Sequence, residues 1–322
     1  MRQIPSRRAL FLQSTQADGA TFLCTTTGAS QTLTINSFGV SAETTIDWGD
    51  GSSNAYTGTA LRTHVYASAG TYTVTILSAA NVTTFDIRDS KVTLNSADIK
   101  TMIYVETFIA LTLKAGTFDS ADVADWRPTT FYLISMPSGY AGTFDSADVV
   151  DWRPTTFFLI LMPSGYAGTF DSADVVDWRP ATFFLYSMPS GYAGTFNSAY
   201  VVDWRPAVFH LYSMPSGYAF VIAANDFAAW TTTSDFRMQN NALTQAQVNA
   251  ILWGLYQASI VPRTATTGTI IVSDSNAAPS GTFQAPTSCP VTSSTPGKEV
   301  AHALLNDGCV VGFNKWTTVT TS

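Results

Sequence analysis

The sequence predicts a mainly β protein with short helices, in which an N-terminal β module is followed by a repeat solenoid and a small C-terminal cap. Near the N-terminus, apolar and polar residues alternate with a period of two, which is typical of half-buried strands. Further along, a near-identical unit begins at Ala115, Ala141, Ala167 and Ala193, and this fixed period of 26 residues predicts stacked supersecondary units. Only 12% of the residues are charged, so Ser, Thr, Asn and Gly supply most of the polar surface.

Charge and hydropathy exclude two classes of partner. The 322-residue chain has a net charge of −7, and its one basic cluster is at Arg2–Arg8. A nucleic-acid groove needs a basic stripe, so we expect no nucleic-acid partner. No apolar run approaches the roughly 20 residues of a membrane-spanning helix, so we expect no membrane insertion. The stretch at Ala9–Ser14 is shorter than the apolar region of a signal peptide, about 7–15 residues, so no export signal is visible.

Cysteine and histidine usage predicts neither a disulfide framework nor a metal site. The three cysteines are Cys24, Cys289 and Cys309, too few for a framework. Cys289 and Cys309 could pair if they lie close together, but separate buried thiols are the favoured interpretation. The histidines lie in three different segments, and the chain has no Walker or dinucleotide fingerprint, so we expect no cofactor and no metal.

Residues 1–18 are predicted as an N-terminal arm that anchors onto another subunit, and residues 19–79 as a β module. In the module, "TIDW" and "TYTVTI" are predicted strands, and "GDGS" is a tight turn. Asp47 and Asp50 are predicted to bind turn backbone rather than calcium, because turn aspartates usually do so. The order "DWGDGS", "HVY", "AGTYTVT" resembles the signature of polycystic-kidney-disease-type (PKD-like) domains. This resemblance implies a small Ig-like β-sandwich.

Residues 80–282 are predicted to form the solenoid, with 26-residue repeats at 115–218. In each unit an apolar strand such as "TFFLIL" is followed by the turn residues "PSGYAG" and a short helical segment, "DSADVVDW". Asp145 and Asp171 are predicted to cap these helical segments. The pattern resembles divergent leucine-rich repeats, with serines near the position of the usual asparagine. The serines are Ser138, Ser164, Ser190 and Ser216.

The flanks of the repeats extend the same interpretation. Thr83–Lys100 is interpreted as an opening repeat and Thr269–Thr282 as a closing one. Between the repeats and the closing unit, Asp235–Leu255 has Asn241 at the spacing expected for leucine-rich repeats and continues into a helix. Residues 283–322 are predicted as the C-terminal cap. It contains a helix at Lys298–Gly308 and the strand-like segments "CVVGF" and "WTTVTT".

The repeated acids do not have the pattern of a catalytic pair. Glycosidases need two distinguished carboxyl groups facing one cleft, but here the same acids recur in every unit. One copy replaces two of them with Asn197 and Tyr200. Asp151 and Arg153 are predicted to take part in an inter-repeat charge ladder. We therefore expect no enzyme activity.

One face of the repeated strand varies between copies, and this face is the predicted binding surface. Alternate residues are constant, such as Phe157 and Leu159 with their counterparts, and should point inward. The opposite residues should line the outer face: Tyr132, Ile134, Phe158, Ile160, Phe184, Tyr186, His210 and Tyr212. Three interpretations remain open: a face covered by the protein itself, a contact surface for a second copy or a virion partner, and a sugar-binding platform.

A PKD-like module ahead of leucine-rich repeats resembles tailed-phage structural proteins and bacterial surface proteins. This resemblance implies a non-enzymatic virion protein, either a tail or baseplate fibre or a capsid decoration. Such a protein would bind other virion subunits or itself, and a glycan or protein on the host surface. The first alternative is a secreted bacterial adhesin located at the cell surface. The second is a glycan-degrading tail enzyme.

Overall fold

The computed structural model describes residues 19–260, 268–306 and 316–322. Over these residues the protein is mainly β with a few short helices, and its central part is a β-solenoid of about six turns. The predicted fold class is confirmed at this level. The N-terminal arm predicted at 1–18 lies outside the described residues, as do Gly308 and the predicted strand "CVVGF".

The N-terminal module contains four antiparallel strands: β1 (Ala20–Thr26), β2 (Gln31–Asp47), β3 (Ser53–Tyr66) and β4 (Gly70–Ile76). β1 pairs with β4 along its whole length, and β2 pairs with β3 around the turn that contains Asp50. The two pairs meet where Ile46 of β2 lies opposite Ile76 of β4. Trp48 and Tyr66 are fully buried between them, and Tyr66 Oη donates to Trp48 O at 2.9 Å.

The longer sheet of the solenoid is parallel, and its strands are in register from one turn to the next. Period-two burial places one apolar face of each strand in the core. Its strands in spatial order are β5 (Val82–Ile87), β7 (Thr107–Leu111), β9 (Thr130–Ile134), β11 (Thr156–Ile160), β13 (Thr182–Tyr186), β15 (Val208–Tyr212), β17 (Asp235–Arg237), β18 (Thr269–Val272) and β19 (Thr318–Thr321).

A second parallel ladder of short strands forms the opposite wall of the solenoid, where the sequence predicted only turns. Each repeat contributes "YAGT" to it. Its strands are β6 (Val92–Asn95), β8 (Ala115–Thr117), β10 (Tyr140–Thr143), β12 (Tyr166–Thr169), β14 (Tyr192–Asn197) and β16 (Tyr218–Val221). The predicted helical segments are 3-10 turns at Ser120–Val123, Ser146–Val149 and Ser198–Tyr200. A further 3-10 turn, Ala79–Asn81, links the module to β5.

The module and the solenoid share both sheets. β2 pairs antiparallel with β5, and β1 pairs antiparallel with β6, so each wall of the solenoid continues into the module. The longer sheet therefore runs without a break from β3, through β2 and β5, to β19. The four module strands cover the first turn of the solenoid, whose apolar interior would otherwise face solvent.

Repeated aromatic residues fill the solenoid core. The inward-facing Phe131, Phe157, Phe183 and Phe209 are fully buried, with consecutive ring centroids 5.5–5.6 Å apart. A tryptophan from each turn packs against this stack, for example Trp178 at 5.1 Å from Phe157. Gly168 has a φ of +126°, and a Cβ there would lie 2.3 Å from Phe144 O of the preceding turn. Close approach of neighbouring turns in the second ladder therefore requires glycine at this position.

The aspartates predicted as caps connect neighbouring turns of the solenoid. Asp145 precedes the 3-10 turn at Ser146–Val149 but makes no cap hydrogen bond to it. Its Oδ1 accepts instead from the backbone N–H and the hydroxyl of Thr169, at 2.7 and 2.8 Å. Asp171 likewise accepts from Thr195 N at 2.6 Å. The capping prediction is corrected because the carboxylate reaches the next turn, where it binds two donors.

The last turns differ from the repeats and carry two of the three α-helices described. These are α2 (Gln245–Ser259) and α3 (Gly297–Leu305), while α1 (Ser96–Ile99) belongs to the opening turn. α2 begins with a capping box formed by Thr244 and Gln247. Its predicted apolar face is buried: Val248, Ile251, Leu252 and Leu255.

The cysteines differ from the favoured prediction of separate thiols. Cys289 is disulfide-bonded, whereas Cys24 is free and buried. Cys309 lies outside the described residues. Burial raises the pKa of the Cys24 thiol to about 11, so this side chain acts as a small apolar group in the module core.

Candidate functional site

The eight residues predicted to bind a partner lie together on the outer face of the longer sheet. The register pairs Tyr132 with Phe158, Phe158 with Phe184, and Phe184 with His210, so these four form one row across four strands. A second row, two residues further along each strand, contains Ile134, Ile160, Tyr186 and Tyr212. We call these eight residues the outer-face patch.

The first row of the outer-face patch is a continuous stack of aromatic rings. The Tyr132–Phe158, Phe158–Phe184 and Phe184–His210 centroids are 4.2, 4.3 and 4.1 Å apart, and the planes differ by 6°, 5° and 3°. In the second row, Tyr186 and Tyr212 stack at 4.3 Å. Burial and the neighbouring Tyr186 hydroxyl raise the pKa of Tyr212, so its hydroxyl is neutral at physiological pH.

The outer-face patch remains partly open to solvent. Six of its residues are partly exposed, while Ile160 and His210 are buried at 3% and 7% exposure. The inward-facing residues of the same strands are fully buried at 0%. This difference shows that the two faces of the sheet are not equally covered by the described part of the chain. The methionines that follow these strands are buried in the core: Met136, Met162, Met188 and Met214.

Ring spacing indicates that the sheet curves towards the outer-face patch. Neighbouring strands of a sheet are about 4.7–4.9 Å apart. Equivalent rings in the core are 5.5–5.6 Å apart, wider than this spacing, whereas rings on the outer face are 4.1–4.3 Å apart. Side chains that diverge on one face and converge on the other indicate a bent sheet. The outer-face patch therefore lies on the concave side.

An Arg–Asp pair stands at each end of the ring stack. On one side, Arg88 binds Asp86 through two hydrogen bonds of 2.8 and 2.9 Å. On the other, Arg237 binds Asp235 at 2.9 and 3.0 Å, and His210 Nε2 lies 3.0 Å from Asp235 Oδ2. Burial opposes ionisation of Asp235, but the adjacent His210 imidazole and the hydrogen bonds from Arg237 keep its pKa below the usual value. Sequence reasoning missed both pairs, although "DIR" and "DFR" have the same two-residue spacing of aspartate and arginine.

The turn aspartates of the N-terminal module bind backbone and one histidine. Asp47 Oδ1 accepts from Gly49 N at 2.9 Å, and Asp50 Oδ1 accepts from Ser52 N at 3.0 Å. His64 lies with Nε2 2.7 Å from Asp50 Oδ2. Burial works against ionisation of Asp50, but hydrogen bonds from Ser52 and His64 lower its pKa to about 2.

The other repeated acids are also held by neighbouring turns. Asp148 Oδ2 accepts from the Ser120 hydroxyl at 2.6 Å, and Asp174 Oδ2 accepts from Ser146 in the same way. On the convex surface, Asp151 pairs with Arg127 of the preceding turn at 3.2 Å. The predicted charge ladder therefore joins each arginine to the aspartate of the next turn. In the described ranges, no group of three or more His, Cys, Asp or Glu residues is arranged to hold a metal ion.

Three comparisons with known proteins found nothing similar. No protein-family model matches the chain, and neither a curated protein nor a solved structure matches it. Among the residues described, no helix has the length and apolar character needed to cross a membrane.

Proposed function

We propose that this protein is a non-enzymatic structural protein whose outer-face patch binds another protein. The observation that carries the proposal is the row of four stacked rings on a concave, partly exposed sheet face. Aromatic side chains concentrate at protein interfaces because they bury a large area with few rotatable bonds. The patch is also where the repeats differ from one another, while their core residues are constant.

The same geometry favours a protein partner over a sugar. A sugar-binding platform presents the face of an aromatic ring to the ligand. In the stack, Phe158 and Phe184 each have a neighbouring ring against both faces, at 4.1–4.3 Å, so only their edges face solvent. Ring edges and the methyl groups of Ile134 suit the apolar side chains of a partner.

We further propose that the solenoid is a divergent leucine-rich repeat and the N-terminal module a PKD-like Ig-like domain. The first proposal is supported by a buried asparagine ladder after β17 and β18. Asn241 Nδ2 donates to Leu211 O of the preceding turn at 2.7 Å, and Asn276 Nδ2 donates to Met238 O at 2.8 Å. The second rests on the motif order in the sequence and on the turn formed around Asp47 and Asp50.

We propose that the protein is part of a phage virion, as a tail fibre, a baseplate fibre or a capsid decoration. In that role it would also attach to the host surface. The charge-poor, Ser- and Thr-rich composition supports this proposal. A secreted bacterial adhesin is the first alternative, and a glycan-degrading tail enzyme is the second. The enzyme is less well supported because the carboxylates of Asp145 and Asp148 are occupied by structural hydrogen bonds.

The test combines Tyr186→Ser with Tyr212→Ser and measures incorporation of the variant into purified phage particles by mass spectrometry. We expect a loss of about tenfold or more, because removing two interface tyrosines at about 1 kcal/mol or more each weakens binding by that factor. Tyr200→Ser is the matched control, since Tyr200 is 48% exposed and lies away from the patch. Unchanged incorporation of a folded double variant would refute the binding role. Release of new reducing ends from host glycans would refute the non-enzymatic role.

A further inference from the structure

β3 is a long edge strand at the end of the longer sheet. It has 14 residues and pairs only with β2 among the strands of the described ranges. The other edge of such a strand carries unpaired N–H and C=O groups that can pair with another strand. β19, at the opposite end of the same sheet, has only four residues. β3 is therefore the larger edge on which a further strand could pair.

Two of the usual protections of an edge strand, lysine and proline, are missing from β3. Natural edge strands carry lysine, proline or inward-pointing charges that block pairing with another chain. β3 contains neither lysine nor proline. The Arg62 guanidinium lies 4.4 Å from the Tyr56 ring centroid and donates to Thr57 O, and His64 is bonded to Asp50. Both cationic side chains are thus engaged within the module.

The exposed face of β3 has apolar residues at positions that suit pairing with itself. Leu61 and Val65 are 58% and 55% exposed, and they lie two residues before and two residues after Thr63. An antiparallel pair of β3 strands with its two-fold axis at Thr63 puts Leu61 of one copy opposite Val65 of the other. By symmetry, the dimer contains two such Leu61–Val65 pairs. Cross-strand apolar pairs of this kind stabilise sheets by about 0.2–1 kcal/mol each.

In the same register, the Asp50 carboxylate offsets the one pair of basic side chains that face each other. On the inward face this register puts Arg62 opposite His64 of the second copy, and His64 is already bonded to Asp50 at 2.7 Å. Ala60 faces Tyr66 across the same axis. Seven residue pairs, over residues 60–66, can form before the positive φ of Gly58 bends the strand.

We propose that two copies of this chain associate through antiparallel β3–β3 pairing about Thr63, which joins their longer sheets into one. The interface is isologous, because each copy presents the same strand, so it closes as a dimer. It uses a surface distinct from the outer-face patch, which stays available to a different partner.

The test is Thr63→Cys in the full chain, followed by mild oxidation and non-reducing gel electrophoresis. The two-fold axis puts the Cα atoms of the two copies about 4.5–5.5 Å apart, within the range for a disulfide. Thr57→Cys is the matched control, because residue 57 of the two copies would be separated by about 40 Å along the strands. We expect a covalent dimer from Thr63→Cys alone.

Sedimentation of the unmodified chain and of the variant Leu61→Lys with Val65→Lys gives an independent readout. We expect the unmodified chain to be a dimer and the double lysine variant to associate at least tenfold more weakly. Leu77→Lys is the control, because Leu77 is an exposed leucine outside β3. A monomer at all concentrations, or equal cross-linking of both cysteine variants, would overturn the proposal. The Tyr186 and Tyr212 substitutions should leave the β3 dimer intact, so failure of either proposal is distinguishable from failure of the other.

Discussion

Gly168 offers the sharpest test of how neighbouring turns approach each other within the second ladder. Its φ of +126° is rarely adopted by other residues, and a Cβ would lie 2.3 Å from Phe144 O and 2.7 Å from Phe144 N. The clashing atoms are backbone, so relief requires β10 and β12 to separate. Backbone strain of about 1–3 kcal/mol and the loss of a ladder hydrogen bond, about 1 kcal/mol, add to about 3 kcal/mol for Gly168→Ala.

The assay for Gly168→Ala is denaturant unfolding followed by tryptophan fluorescence, with Gly139→Ala as the control. Gly139 lies in the turn before β10, in an earlier copy of the repeat, where a Cβ meets no atom within 4 Å and φ is not in the left-handed region. We expect the control to change stability by no more than about 0.5 kcal/mol. Equal effects of the two substitutions would show that neighbouring turns of the second ladder do not depend on a close backbone contact at Gly168.

Two further predictions concern the aspartates. Asp145→Ala should destabilise the protein by about 1–3 kcal/mol in thermal unfolding, because Thr169 N loses its acceptor. Asp145→Asn should destabilise it much less, because the amide oxygen can still accept. Similar losses of stability for both variants would exclude the proposed contact. Because the folded-state pKa of Asp50 is lowered from 3.8 to about 2, its stabilisation is present above about pH 4 and is lost as the pH falls towards 2. Asp50→Asn should remove this component of the acid transition, and an unchanged acid profile would contradict the hydrogen bonds assigned to it.

The sequence predicted what depends on local pattern. The alternation in "TFFLIL" predicted which residues of β11 face the core, and the 26-residue period predicted the stacking. The second ladder was missed because "YAGT" has four residues, one of them glycine, and reads as a turn when taken alone. It becomes a strand only because the preceding and following turns supply parallel partners, which is a long-range effect.

Contacts between distant residues were the main source of error at the candidate site. His64 and Asp50 are 14 residues apart, and Asp145 and Thr169 are 24 apart. No local spacing rule brings such pairs together. The rows of the outer-face patch were predictable because an exact repeat in a parallel sheet must align equivalent residues. The Arg–Asp pairs were not, because Arg88 and Arg237 lie in turns that do not share the repeat.

Exact copying of a unit has an electrostatic consequence, which contacts between neighbouring turns offset. Stacked repeats bring like residues side by side, so a bare aspartate in every turn would repel its neighbours. Arg127, one turn earlier, pairs with Asp151, and the Ser120 hydroxyl satisfies Asp148. Because each unit carries both the acids and their partners, adding a turn leaves no carboxylate without a hydrogen-bond donor or an arginine. At Tyr200 the acceptor acid is missing, and the Ser172 hydroxyl of the preceding turn donates instead to a backbone carbonyl. The repeated unit therefore tolerates substitution where a backbone group can replace the lost side chain. Most of the remaining variation between copies lies on the outer face, where rings stack without charge.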